Sequence, residues 1–435
     1  MSRSAITWAI GLFALVAGAA CEGSSVAGNN DGGAPEDGDV RDVELTDVMP
    51  VIDTGPDGAP PDALVYPDCN VPVQQPQVLL PGELIRLPPT GQDIIDSVDW
   101  DGRRVVYSEY RCPVETSWGG DLFAFDLDTM LESVVAARVG GQTNASVSSG
   151  GTVYSDFYFS YFPNAENDRR AELYRYDFGS AQETRLTDGN WPKIMPVYNG
   201  SHVAYLSSEW DPQQAVVYDF VLRELSTGQE VVLADHNQNV QRCYDVGDEY
   251  VTWQALSPSQ PNAFDIFYHH IPTGITDRLY LDSPYLLCPT VSGRRLAWNE
   301  ARGGSWDAYV VDLDTGIEEQ VTGETADQIL RPIGGHLLLV VDYRHSFGSF
   351  PGNSRDLYLY DLETGINRRL TMQSMRWGGL RPSCQWLIYG EILSSDQSIL
   401  YAWDMVTAGV VDQDCHVIPC DPETELCSII EWRGP

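Results

Sequence analysis

The chain has 435 residues and a formal net charge of −37, with 63 acidic against 26 basic side chains. So acidic a surface repels phosphate backbones and anionic lipid, because both need clustered Lys and Arg. Nucleic-acid binding and purely electrostatic membrane association are excluded on that ground.

The first predicted element is an export signal over residues 1–20. Arg3 precedes an apolar stretch, Ala5–Val16, followed by Ala17, Gly18, Ala19, Ala20 and then Cys21. The stretch is too short to span a bilayer, and its order of charge, apolar run and small residues is that of a secretory signal. With the cysteine in place it resembles the bacterial lipoprotein family. That resemblance implies cleavage after Ala20, lipidation of Cys21 and, with Glu22 next in line, an outer-membrane location facing periplasm or cell surface. Gly18 departs from the Leu that the family usually carries there.

Residues 21–70 read as a disordered acidic linker. The run GAPEDGDVRDVELTD from Gly33 is rich in Gly, Pro, Asp and Glu; it cannot bury enough apolar surface to fold, and like charges extend it. Asp53, Asp57 and Asp62 have neither the spacing nor the terminal Glu of an EF-hand loop.

From about Ser97 to Asp412 one two-part phrase recurs seven times. Its first half is a short apolar run with anchors at Tyr107, Tyr154, Tyr205, Trp253, Trp298, Val341 and Tyr389. Its second half starts with an acid or its substitute at Asp121, Glu172, Asp219, Asp265, Asp307, Asp356 and Ile399. Five residues later come Asp126, Asp177, Glu224, His270, Asp312, Asp361 and Asp404. Consecutive apolar residues between the two acids suit a strand covered on both faces. The Thr-Gly that follows, as at Thr227, Thr273, Thr315 and Thr364, suits a hairpin whose glycine takes positive φ. Each unit supplies four antiparallel strands and cannot bury both faces alone, so the expected fold is all-β, a closed β-propeller of seven four-stranded blades over residues 71–412. An atypical first or last unit would make the count six or eight. Two segments compete to complete the ring: ELIRL from Glu83, which reads as an outer strand, and Val410 with Val411.

The phrase resembles the WD-like repeat of TolB-like propellers. Trp100–Ser108 reads WDGRRVVYS, Asp356–Thr371 reads DLYLYDLETGINRRLT, and Arg185–Thr187 closes another unit with RLT. The resemblance implies fold, not activity. TolB has six blades behind an α/β domain, and this chain shows neither feature.

With Cys21 set aside, eight cysteines remain: Cys69, Cys112, Cys243, Cys288, Cys384, Cys415, Cys420 and Cys427. An even count in an exported chain favours disulfides over metal. Cys243 and Cys288 each lie ten residues before the anchors of their units, Trp253 and Trp298, so a bond between them would clip blade four to blade five. Cys415, Cys420 and Cys427 lie in a Cys-rich tail, residues 413–435, and are expected to staple the chain ends together with Cys69.

No catalytic motif is present: there is no G-x-S-x-G, no H-E-x-x-H and no P-loop. His269 and His270 fall on opposite faces of one strand and cannot readily share an ion, and His270 reads as a substitute for the recurrent acid. His202, His236, His336 and His345 form no obvious ligand set, so no cofactor is assigned; a divalent cation is the one addition the acidic surface admits. What remains is recognition by the face that carries the second-to-third-strand loops and the connections between blades. Trp118, Tyr158, Phe159, Tyr161, Phe162, Trp210, Trp306, His345, Phe347 and Phe350 sit in those loops and supply stacking surface. The preferred expectation is a monomeric, non-catalytic propeller that docks an envelope protein or glycan and meets the membrane only through its lipid. The alternative is a polysaccharide lyase or hydrolase with a divalent ion at the channel mouth, using paired carboxylates such as Glu209 and Asp211.

Overall fold

The computed structural model describes residues 77–80, 84–87, 95–109, 120–137, 141–159, 169–188, 191–211, 215–240, 243–344, 356–372, 381–394, 397–420 and 430–431. The chain divides into Met1–Tyr66 and Pro67–Pro435, and every described residue belongs to the second unit. The signal, Cys21, the linker, Cys69, Cys112 and Cys427 lie outside the described residues.

Seven four-stranded antiparallel sheets follow one another. Blade one uses Ile95–Trp100, Arg104–Glu109, Asp121–Asp126 and Leu131–Ala136 from the inner to the outer edge, and blades two to six repeat that order. The second strand carries the anchor of the phrase and the third its acid-flanked run. Alternation is absent because both faces are covered: in Leu337–Asp342 and Asp356–Asp361 every residue is buried. The anchors Trp253, Trp298, Tyr107, Tyr154, Tyr205 and Tyr389 are the bulkiest fully buried side chains. Three of them also reach the outer strand. Tyr107 donates to Glu132, Tyr154 to Glu183 at 2.5 Å and Tyr205 to Glu230 at 2.8 Å. Burial and the Glu230 carboxylate together push the Tyr205 hydroxyl up, so it remains a donor.

The apolar clusters lie between blades rather than within them. One joins Val153 and Leu173 of blade two to Val203 and Tyr205 of blade three; another joins Ile266 of blade four to Leu296 and Trp298 of blade five. This is why no repeat is stable alone.

The last blade is completed by the start of the chain. Leu84–Arg86 pairs with Gln397–Asp404, with Ile85 opposite Ala402, and Gln77–Leu80 pairs beyond it. Ile85 and Leu87 enter a buried cluster shared with Trp386, Ile388 and Leu400 of blade seven and Val105 of blade one. Of the two candidates for closure, ELIRL takes the role. Val411 instead bridges Val417 in the segment that follows the blade.

Cys243 and Cys288 are bonded, with Cα atoms 4.7 Å apart, joining blades four and five as the spacing predicts. Cys415 bonds to Cys384 of blade seven rather than to the front of the chain. That bond holds the start of the tail against the turn that precedes the Trp386–Ser394 strand. Cys420 is also disulfide-bonded.

Candidate functional site

The acids of the repeat are the first candidates for chemistry, and the structure uses them internally. At the end of the third strand the carboxylate accepts from the backbone of the next turn: Asp126 from Asp128 and Thr129, Asp312 from Asp314 and Thr315, Asp361 from Glu363 and Thr364, and Asp404 from Thr407. Glu224, one methylene longer, takes the hydroxyls of Ser226 and Thr227 instead. Donors from the turn hold Asp177 and Glu224 below their ordinary range. At Asp361 burial pushes upward, but hydrogen bonds from Thr364, Glu363 and His416 outweigh it and bring the group down to about 2. His270 occupies the same place, with Nδ1 2.8 Å from Thr273 Oγ1, while His269 on the opposite face is buried against Thr276. Gly228, Gly274, Gly316 and Gly365 take the positive φ that the turn requires.

The acid at the start of the third strand is bound by the closing strand. Glu172 accepts from Thr187 at 2.5 Å and pairs with Arg185 at 3.1 Å. Asp356 takes Arg369 at 2.7 Å, and Asp265 takes Arg278 at 2.9 Å. Where the ending is Arg-Leu-Thr, at Arg185 and Arg369, the Arg pairs with the carboxylate and the Thr hydroxyl donates to it, relieving the burial of its charge.

A second polar system runs around the inner strands. Ser146 and Val147 of blade two donate to Asp99 of blade one, and Ser146 in turn accepts from Tyr198 N–H of blade three. Asn199 donates to Gly247 O of blade four; Thr290 and Val291 of blade five donate to Asp245; and Thr290 accepts from Ile333 N–H of blade six. A Cβ at Gly334 would sit 1.8 Å from Pro382 O, so only glycine lets blade seven approach there. Trp100 Nε1 closes the circuit on Arg381 O at 2.6 Å.

Arg381 also crosses the ring. Its Nη2 donates to both carboxylate oxygens of Asp245 at 2.7 Å, linking blade seven to blade four on the far side of the channel. Asp99 lies within the same field. Burial pushes Asp99 up to about 6, with the Val147 N–H, Arg381 and Ser146 acting only partly against it. Arg381→Met is expected to cost about 3 kcal/mol at pH 7, the low end for orphaning a buried carboxylate, because the arginine side chain is 35% exposed. The sign of the pH effect follows from Asp99. A carboxyl raised above its ordinary 3.8 weakens the fold when ionised, so its penalty is complete above pH 6 and fades as pH falls from about 6 towards 4. Losing the arginine raises Asp99 further. Urea denaturation should therefore show the variant's deficit narrowing between pH 7 and pH 5; a deficit that widens on acidification would contradict the coupling.

The upper face carries the second-to-third-strand loops and the connections between blades. Of the ten aromatic and His side chains proposed there, Trp118, Tyr161, Phe162, His345, Phe347 and Phe350 lie outside the described residues. Tyr158, Phe159 and Trp210 have described backbone only, on the ends of Gly151–Phe159 and His202–Asp211. The side chains of Glu209 and Asp211 are likewise outside the description. Trp306 is half-buried against the cluster that holds Ile329 and Leu357, and its backbone N–H donates to Asp327 Oδ1. Two aromatics not singled out by the sequence reading are exposed on this face: Trp191, at 43%, and Tyr285, at 48%. Both sit on connections between blades, where no repeat pattern flags them. Near Trp306, Arg302 pairs with Glu300 at 2.7 Å and lies over the Tyr309 ring. Arg344 is held by Asp342 at 2.6 Å and its hydrogen bonds and charge keep it fully cationic despite partial burial.

On the opposite face, His336, Asp361 and His416 converge, with one potential ligand atom from each lying within 4.8 Å of the others. His416 carries no signal in the sequence beyond its place beside Cys415. No described helix is long and apolar enough to cross a membrane.

No protein-family model matches the chain, and no curated protein matches it. Solved structures do. An oligogalacturonate lyase in complex with manganese is similar at a TM-score of 0.52 and 14% identity, covering 77% of this chain and 96% of that one. The β-propeller domain of the trilobed protease from Pyrococcus furiosus is similar at 0.54 and 10% identity, covering 72% of this chain and 96% of its own. TolB from Acinetobacter baumannii matches at 0.40 and 14%, covering 71% of this chain and 78% of that one. At such identities the likeness is one of fold, and the chain is a seven-bladed β-propeller of four-stranded antiparallel blades.

Proposed function

We propose that this chain is an exported, lipid-anchored propeller of the cell envelope that binds a protein or glycan through its upper face and performs no chemistry of its own. The observation that carries the reading is the commitment of the recurrent acids. Asp126, Asp312 and Asp404 cap turns, and Glu172 and Asp356 tie down closing strands, so these acids build a scaffold. The disulfides Cys243–Cys288 and Cys384–Cys415 support export, since such bonds persist in oxidising compartments. Exposed Trp191 and Tyr285 supply rigid contact area of the kind that dominates binding energies. A carbohydrate-active propeller remains the alternative, and a chelator separates the two: it abolishes turnover in the enzyme and leaves capture intact in the scaffold.

The test is affinity capture from the native envelope, with bound protein and glycan identified by mass spectrometry. Trp191→Ala with Tyr285→Ala, and separately Tyr161→Ala with Trp210→Ala, should each weaken retention of the wild-type ligand by roughly tenfold or more. Retention unchanged in both variants would remove the upper face as the site.

A further inference from the structure

On the lower face three separate segments bring together two imidazoles and a carboxylate. His336 lies in the turn between the strands Gln328–Gly334 and Leu337–Asp342 of blade six, Asp361 ends the third strand of that blade, and His416 belongs to the segment after blade seven. The Asp361 side chain is fully buried. His416 Nδ1 stands 3.0 Å from Asp361 Oδ2, and the rings of His336 and His416 have centroids 5.1 Å apart.

The surroundings hold the third segment in place. The Cys384–Cys415 bond immediately precedes His416. Val417 N–H donates to Asp361 Oδ2 at 3.2 Å, and Arg368 donates to Gly409 O at 2.6 Å and to Ile418 O at 3.2 Å. His336 Nε2 lies 3.0 Å from Cys415 O. Glu363 and Asp412 add negative potential at His416, while Arg295 pairs with Glu363 from the other side. One imidazole is enough for the pair with Asp361. The second takes no part in that pair, and it completes a donor set of two nitrogens and one oxygen.

We propose that His336, Asp361 and His416 form a binding site for a zinc-class divalent transition-metal ion that clamps the segment after blade seven onto blade six. Two imidazoles select a borderline-soft ion over magnesium or calcium, which prefer all-oxygen shells. Three protein ligands leave a fourth position for water. Ligand atoms about 2.0 Å from a tetrahedral ion stand roughly 3.3 Å apart. The present limit of 4.8 Å thus requires the ligand atoms to draw inward by about an ångström or more. The ion would replace the hydrogen bond between His416 and Asp361 with two bonds through one centre, and Asp361 Oδ1 would stay with its turn.

The experiment uses the full oxidised chain, stripped with EDTA and titrated calorimetrically with zinc chloride in excess magnesium, which saturates weak sites on the acidic surface. One equivalent of zinc is expected, together with increased hydrogen-exchange protection over residues 409–418. His336→Gln, which can still donate to Cys415 O, and His416→Gln should each weaken zinc binding at least roughly tenfold and remove the added protection. If His416→Gln fails to fold, His336→Gln alone decides the matter. Absence of a magnesium-resistant zinc equivalent in the wild type, or undiminished affinity in His336→Gln, would overturn the proposal.

Discussion

Deleting Gln77–Leu87 from the chain is expected to abolish the cooperative thermal transition of the propeller. Those residues supply both outer strands of blade seven. Without them the Gln397–Asp404 strand presents a bare ladder edge, and Ile85 and Leu87 leave the cluster that packs Trp386, Ile388 and Leu400 against Val105 of blade one. In this ring the closing strands cover blade seven, and each blade covers its faces with its neighbours, so their loss uncovers the junction with blade one as well. An unpaired apolar edge is also a template for association. A milder variant, Ile85→Asp, keeps the strand but places an unpaired charge at a residue 7% exposed between two ladders. It should cost about 3–5 kcal/mol. Calorimetry and light scattering check both: retention of the wild-type transition by the deletion would mean that closure rests elsewhere.

Replacing Cys243 and Cys288 together by Ser is expected to destabilise the fold by about 3–4 kcal/mol. The bond closes a loop with a sequence separation of 45, and the loss of that constraint on the unfolded chain sets the magnitude. Blades four and five remain joined by the Asp245 bonds to Thr290 and Val291 and by the cluster around Ile266 and Trp298. The native structure should therefore persist with a lower urea midpoint and a steeper slope, because the unfolded chain without the cross-link expands and exposes more surface. Loss of the near-ultraviolet circular dichroism of the native state in the absence of urea would instead show that the bond holds the two blades in register.

Much of this architecture is legible in the chain because the propeller repeats one local problem. An acid at the end of a strand, two residues and then Thr-Gly specify a turn, and the structure places Asp312 and Asp361 in that role; Asp126 caps the same turn with Met130 in place of the glycine. The His270 substitution is legible for the same reason, since its neighbours keep the repeat. The link from Cys243 to Cys288 could be read from equal offsets in adjacent units. What resisted reading lacks a repeat. Trp191 and Tyr285 sit on connections of unequal length, and His416 follows the last unit, where no partner is implied by spacing. Arg381 is one arginine among many in the sequence, and its contact with Asp245 spans 136 residues.

Fold class, the seven-fold repeat of the phrase, the turn chemistry and the bond between blades four and five are legible in the chain, because each depends on residues close in sequence or at equal positions in neighbouring units. Which segment closes the ring, which cysteine bonds to Cys415, how Arg381 ties blade seven to blade four, and that His336, Asp361 and His416 share one corner emerge from the folded ring alone. Those contacts join residues at distances set by the curvature of the ring, and no local pattern encodes that curvature.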